Sequence, residues 1–531
     1  MLTKVKSLAF HGLEAISIDV EVNVSKRGLP SFDIVGLPNK SIGESKHRLL
    51  VAFGNSGINL ANRKILVNLA PADLHKDGSF YDLPIAVGIL CAELNIPVPK
   101  SSVFFGEISL DGGLRHTPGA LLVSLFAHEN SVKNIFIPNM CINEAAVVRD
   151  VNIFGVENLG NLKNLLLKGI DGVANIRPNN NVENVNNTGE SFYPFDNAVK
   201  VEEIIGQFYA KRALEICAAG GHNVLMVGPP GVGKTLLAKS MISILPPLTE
   251  EESIEVTKIY TLLGKIPPGG SLVLDRPFRS PHHTVSRAGL LGGGVIPFPG
   301  EVSLAHRGIL FMDEFCEFSS NVTESLRQPI EEGKVLITRN KRVASFPSKF
   351  TLIAASNPCP CGFLGHPKVE CKCTPAKIEA YRKKLSGPIM DRIDLHINVL
   401  PVNSEDLVES NMLRDSGGTS VTAPTHVSCK PVDTTESIRD RVLQARNVQR
   451  ERFAGDAIFC NAEMSIVHLK KFCQLDKDSR SILNTAADKM NLSMRSYFKI
   501  IKVARTIADI NGREEIVYSD IAEALQYRFK T

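Results

Sequence analysis

The sequence predicts an α/β chain in three parts: an α+β part over residues 1–175, a central α/β part over 200–400, and an all-helical part over 434–531. Three observations carry this. The chain opens on alternating apolar residues, its middle holds a glycine-rich loop between an apolar strand and a helix, and its last part shows helical periodicity throughout. Two polar stretches separate the parts. The segment 176–199 contains Asn179, Asn180, Asn181, Asn184, Asn186 and Asn187, and 401–433 mixes Gly417, Gly418, prolines and Ser/Thr. Both compositions are those of linkers.

Composition bounds the rest. Hydrophobic residues at 44% and charged residues at 22% exclude a fully disordered or fibrous chain. Sixty Lys+Arg against 56 Asp+Glu leave +4, so any charge for gripping nucleic acid must be local. No apolar run approaches the ~20 residues of a membrane span, and Met1–Phe10 lacks an apolar signal core. A cytoplasmic protein without a membrane partner is expected. Eleven cysteines are too sparse for a secreted disulfide scaffold of 531 residues.

In the first part, Ile16, Ile18, Val20, Val22 and Val24 share one parity and predict a strand. A strand at Lys64–Leu69, a helix at Asp82–Leu94 and a strand at Asn134–Ile137 follow. In the last part, Ser437–Phe453, Ser465–Cys473, Asp478–Asn491, Arg495–Asn511 and Tyr518–Phe529 read as helices.

The middle part carries the chemistry. Gly228-Pro229-Pro230-Gly231-Val232-Gly233-Lys234-Thr235 follows the apolar strand Val224–Val227 and precedes a helix, the setting of a phosphate-binding loop. There Gly228, Gly231 and Gly233 turn backbone N–H groups toward phosphates, Lys234 reaches the β/γ oxygens of ATP, and Thr235 ligates Mg2+. A second apolar strand, Gly308–Met312, ends in Asp313 and Glu314, suited to holding Mg2+ and activating the attacking water. A third, Phe350–Ala355, ends in Ser356 and Asn357. Asn357 either orients water beside the γ-phosphate or opens a turn before Pro358.

Three further features lie between these strands and beyond them. The segment Glu332–Phe346 reads as two short strands with a basic tip of Arg339, Lys341 and Arg342, which fits a phosphate backbone or an ordinary solvated hairpin. His282 and His283 sit in an insertion with His306 nearby, a set read as packing or loop contacts rather than a metal site. Cys359-Pro360-Cys361 and Cys371-Lys372-Cys373 form a four-thiolate set, which either closes on Zn2+ or stays as reduced thiols.

These motifs, with Arg279-Ser280-Pro281-His282-His283-Thr284, Pro299-Gly300-Glu301-Val302-Ser303 through Gly308, Asn357-Pro358-Cys359-Pro360-Cys361-Gly362 and Gly387-Pro388-Ile389-Met390-Asp391-Arg392-Ile393-Asp394, resemble the ComM/YifB family of magnesium-chelatase-like AAA+ ATPases along essentially the whole chain. The resemblance implies an AAA+ core and a helical lid. It also implies Walker A at Lys234 and Thr235, Walker B at Asp313 and Glu314, and sensor 1 at Asn357. Arg392 matches an arginine finger reaching a neighbouring subunit, and Arg495 the sensor 2 arginine. Read alone, Arg392 is a surface arginine paired with Asp391 or Asp394. A homo-hexameric ring is implied, with the basic hairpin projecting into its pore; a second pore loop holding His282 and His283 is the alternative to packing there.

Residues 1–175 resemble a Lon-protease-type domain through Lys76-Asp77-Gly78 and Gly106-Glu107. Alignment on these places Phe80 at the nucleophilic serine and Leu122 at the lysine, so the dyad that proteolysis needs is missing. The function implied is an ATP-driven motor on single-stranded and branched DNA. It would migrate branches in recombination intermediates, as in natural transformation, with recombination proteins as partners. A chelatase-like or protein-remodelling ATPase is the alternative, and an ATP-dependent protease is disfavoured.

Overall fold

The computed structural model describes residues 1–169, 199–401 and 434–528, apart from positions 28, 38, 61, 73, 75, 295–296, 340–341, 386 and 457. The two expected linkers therefore lie outside the described residues, save Val199 and Pro401.

Buried alternation builds the first part. Ile18, Val20, Val22 and Val24 are buried while Ile16 is half-buried, on the strand Glu14–Ser25. This strand pairs antiparallel with Leu2–His11 and with Lys64–Ala70, and Ser31–Val35 completes a four-stranded sheet. Leu2–His11 carries no clean apolar alternation, because its inward positions include Thr3 and Ser7. Thr3 is satisfied there by donating to the carbonyls of Val22 at 3.2 Å and Gly88 at 2.9 Å. Gly88 lets the helix Asp82–Leu94 lie directly on the sheet, since a Cβ there would sit 2.5 Å from Val22 Cγ2. A second, parallel sheet joins Ser102–Phe104, Asn134–Pro138 and Asn152–Val156.

The central part is a five-stranded parallel sheet, ordered Phe278–Arg279, Ile309–Met312, Thr351–Ser356, Val224–Val227, Leu395–Asn398. The three central strands are almost wholly buried apolar runs, as a parallel sheet covered on both faces requires. Their carboxyl ends lie side by side, and loops leaving those ends are where such sheets bind ligands.

The last part is helical, with Thr435–Arg452, Ile466–Phe472, Lys477–Lys489, Met494–Ile510 and Tyr518–Gln526. Its apolar faces share one core with the helix Phe208–Gly220 and the central sheet. Polar contacts fix the seam: Arg446 and Gln449 donate to the carbonyls of Ala218 and Ala219, and the buried His222 meets the Thr506 hydroxyl at 2.8 Å.

The first part docks on the centre through Thr261. Its hydroxyl accepts from the Gly119 N–H at 2.8 Å and donates to the Glu144 carboxylate at 2.5 Å. The same carboxylate oxygen accepts from the Leu121 N–H. A cavity of about 540 Å³ opens along this seam, lined by Leu122, Glu129, Glu255 and Lys258 among others. Among the described residues no helix is long and apolar enough to cross a membrane.

Candidate nucleotide-binding site

The loop after Val224–Val227 is shaped by close approach. A Cβ on Gly228 would lie 2.2 Å from the Val399 carbonyl oxygen, so only glycine fits. Gly231 and Gly233 hold φ of +79° and +90°, the left-handed region that glycine enters without strain. The helix Lys234–Ile244 starts at once, so its free N–H groups and the positive end of its dipole face the loop.

Lys234 is buried, and its ammonium donates to the carbonyls of Gly228 at 2.6 Å and Pro229 at 2.9 Å and to Asn357 Oδ1 at 3.0 Å. Burial pushes its pKa down, and the charges of Asp313 and Glu314 act against that. The Thr235 hydroxyl donates to Asp313 Oδ2 at 2.8 Å. Residues from three adjacent strand ends thus converge on one cavity of about 400 Å³, lined by Gly231, Gly233, Lys234, Thr235, Asp313, Glu314 and Asn357 with three neighbours. Thr235 and Asp313 set two hard oxygen donors side by side, which fits Mg2+.

Glu314 stands in a left-handed conformation, φ 50°, unusual for a residue with a side chain and worth ~1–3 kcal/mol of strain. Its N–H is held by Asp313 Oδ1 at 2.9 Å, and its carboxylate lies 3.4 Å from His283 Nδ1. His283 in turn packs against His282, with tilted rings whose centroids are 4.1 Å apart. Sequence reasoning missed this partner of Glu314, because the insertion gives no spacing that aims a ring at a strand end. His306 belongs elsewhere: its Nε2 meets Glu255 at 3.0 Å and its Nδ1 accepts from the Lys349 N–H.

Arg392 and Arg495 do not line this cavity. They sit together, with Arg392 Nη2 at 2.7 Å and Arg495 Nη1 at 2.6 Å from the same oxygen, Glu331 Oε1. Neither acid expected beside Arg392 pairs with it. Asp391 accepts from the hydroxyls of Ser493 and Ser496, and Asp394 takes Lys499 at 2.7 Å. Lys499 also donates to the Arg392 carbonyl at 2.7 Å, so the helix Met494–Ile510 holds the Arg392 turn in place.

The hairpin Lys334–Arg339 and Arg342–Pro347 forms where the sequence placed it, with Arg339 paired to Arg342 at its tip. Lys341 lies outside the described residues. Val335, Ile337, Ala344 and Phe346 anchor the hairpin in the central core.

Cys359, Cys361, Cys371 and Cys373 converge, all four sulfurs lying within 4.8 Å of one another. In the first part, the Phe80 ring stacks on Phe105 at 4.7 Å and Leu122 is buried. Lys76 donates to the Gly36 and Pro71 carbonyls, whereas Ser79 donates to the Glu107 carboxylate.

The chain matches three family models: "Magnesium chelatase, subunit ChlI" over residues 200–407, "Subunit ChlI of Mg-chelatase" over 20–140, and "Magnesium chelatase, subunit ChlI C-terminal" over 432–528. It is 37% identical to the competence protein ComM of Haemophilus influenzae over 529 residues, covering 99% of this chain and 97% of that protein. It is 34% identical to YifB of Escherichia coli over 530 residues, with the same coverage. A shorter likeness, 42% over 72 residues and 14% of this chain, links it to the DNA repair protein RadA of Rickettsia typhi. With likeness running the full length and the strand-end site in place, the chain belongs to the ComM/YifB family of magnesium-chelatase-like AAA+ proteins.

Proposed function

We propose that this protein is an ATP-driven DNA motor that works as a hexameric ring and migrates branches in recombination intermediates. The observation that carries the proposal is the convergence of Lys234, Thr235, Asp313 and Asn357 on one cavity. Similarity to a protein named for competence supports DNA as the substrate.

The chain's own residues divide the work. Lys234 now donates to loop carbonyls and Asn357, and the same three protons suit the β/γ oxygens of ATP. Thr235 and Asp313 would hold Mg2+, which would supply positive charge to offset that of the phosphates. Glu314, aimed by His283, accepts a proton from the attacking water, and Asn357 orients that water. Arg392 and Arg495, outside their own chain's cavity, serve the ATP of an adjacent subunit, where a fixed guanidinium neutralises charge on the γ-phosphate. On this reading each site is completed by a neighbouring subunit, which a ring supplies.

Arg339, Lys341 and Arg342 give each subunit a basic hairpin tip, and a ring of such tips multiplies weak phosphate contacts along single-stranded or branched DNA. The first part lacks the serine–lysine pair of a Lon-type protease at Phe80 and Leu122, and we assign it a ring-building or DNA-contacting role. A cytoplasmic site of action and recombination proteins as partners follow from the same reading. The family-model descriptions favour one second reading, an ATPase that drives metal insertion into a porphyrin.

The test is strand displacement from three-stranded and four-way DNA junctions with ATP, comparing wild type and Lys234→Ala. Branch movement by wild type alone supports the motor. ATP hydrolysis without branch movement, and without stimulation by DNA, would transfer the site to the second reading.

A further inference from the structure

We infer that Cys359, Cys361, Cys371 and Cys373 bind one zinc ion, and that this ion locks the loop bracing the phosphate-binding turn. The sulfur geometry is that of a mononuclear site. Cys359 Sγ lies 3.4 Å from Cys361 Sγ and 3.7 Å from Cys371 Sγ, and Cys361 and Cys371 are 3.5 Å apart. A tetrahedron of sulfurs ~2.3 Å from zinc has edges of ~3.8 Å. The sulfurs stand well beyond the ~2.05 Å of a disulfide. An iron–sulfur cluster needs its thiolates spread around a cage of metal and sulfide, whereas four sulfurs within 4.8 Å of one another leave room for a single ion.

The loop has little else to hold it. No helix or strand occurs between Ser356 and Pro375, and Val369 is exposed. A loop this irregular, on the rim of a ligand cavity, is ordered by a metal where an apolar core is missing.

Its placement supplies the consequence. Asn357, which receives Lys234 Nζ, stands two residues before Cys359. Gly362, one residue after Cys361, has φ +81° and lies so close to the phosphate-binding turn that a Cβ would meet Pro230 Cδ at 2.7 Å. The thiolate cluster therefore fixes Asn357 from one side and seats Gly362 on Pro230 from the other. The metal site stands by itself, and the bracing role rests on the nucleotide-site reading above.

Elemental analysis of purified full-length protein should find about one zinc per chain, with no visible absorbance from iron–sulfur species, and zinc should be lost in the Cys361→Ser/Cys371→Ser variant. Absence of stoichiometric zinc in wild type overturns the site. For the brace, zinc is stripped from wild type with a mercurial, which is then removed by excess thiol and chelator. Fluorescent ADP binding is measured before stripping, after it, and after equimolar zinc is returned, with circular dichroism recording the fold. Stripping should raise the dissociation constant about tenfold, reversibly, with helicity unchanged. Gly362→Ala should weaken binding similarly while keeping its zinc. Unchanged affinity in both experiments overturns the brace and leaves the zinc site standing. Zinc-loaded wild type that binds no nucleotide overturns the nucleotide-site reading, and the brace with it, but not the metal site.

Discussion

Arg392 and Arg495 meet on a single carboxylate oxygen, Glu331 Oε1, at 2.7 and 2.6 Å. They come from different elements, a turn after the short helix Gly387–Met390 and the first turn of the helix Met494–Ile510. Two guanidinium groups repel, so their pairing depends on the acid between them and on Lys499, which holds the Arg392 carbonyl.

Arg392→Ala and Arg495→Ala should each bind nucleotide with little change and lose ATP turnover by ~10³. Mixing either with Lys234→Ala should restore part of the activity, because one subunit then supplies the arginines and the other an intact cavity. Steady-state ATPase titrations of the mixtures check this. Glu331→Gln should lower turnover about tenfold, or ~1.4 kcal/mol, by releasing the pair. A faster Glu331→Gln variant would mean that the acid restrains the arginines.

Within the cavity, Lys234→Ala should abolish nucleotide binding, and Glu314→Gln should bind ATP without turning it over. His283→Ala tests the partner of Glu314. Losing a contact that aims a base without donating the proton itself should cost about tenfold in kcat, with KM little changed. Parallel ATPase and nucleotide-binding assays separate these cases, and unaltered kcat in His283→Ala would remove His283 from the site.

The triple alanine variant of Arg339, Lys341 and Arg342 should weaken DNA binding for every sequence tested. Each lost phosphate contact should reduce the slope of log affinity against log salt by about one. Binding measured across a salt series reads this directly, and an unchanged slope would place the DNA contacts elsewhere.

Thr261→Val removes the hydroxyl shared by Gly119 and Glu144, leaving a buried N–H and a buried carboxylate short of a partner. That should cost ~1–3 kcal/mol and loosen the first part from the centre. Limited proteolysis in urea should show earlier cleavage between them while ADP still binds.

Much of this was legible in one dimension. The strand Val224–Val227 and the loop to Thr235 were readable because backbone chemistry there demands glycine at fixed spacing beside an apolar run. The strand ending at Asp313 is apolar from Ile309 to Met312 and then abruptly acidic, so its end was legible too. Lid helices were readable from amphipathic periodicity, to within a residue or three at their ends. Leu2–His11 was not, because its buried Thr3 finds carbonyl partners 19 and 85 residues away.

By itself the sequence determined the local pieces: a glycine-rich loop between a strand and a helix, two acidic residues ending a strand, paired cysteines and a basic hairpin. Each is set by short-range geometry and by the solvation preferences of neighbouring side chains. Only the tertiary structure decided which of these pieces touch. It set His283 beside Glu314, Gly362 against Pro230, and Arg392 beside Arg495 on Glu331. Those contacts join segments far apart in the chain, and they form only because parallel pairing brings three strand ends together and a shared apolar core seats the lid beside them.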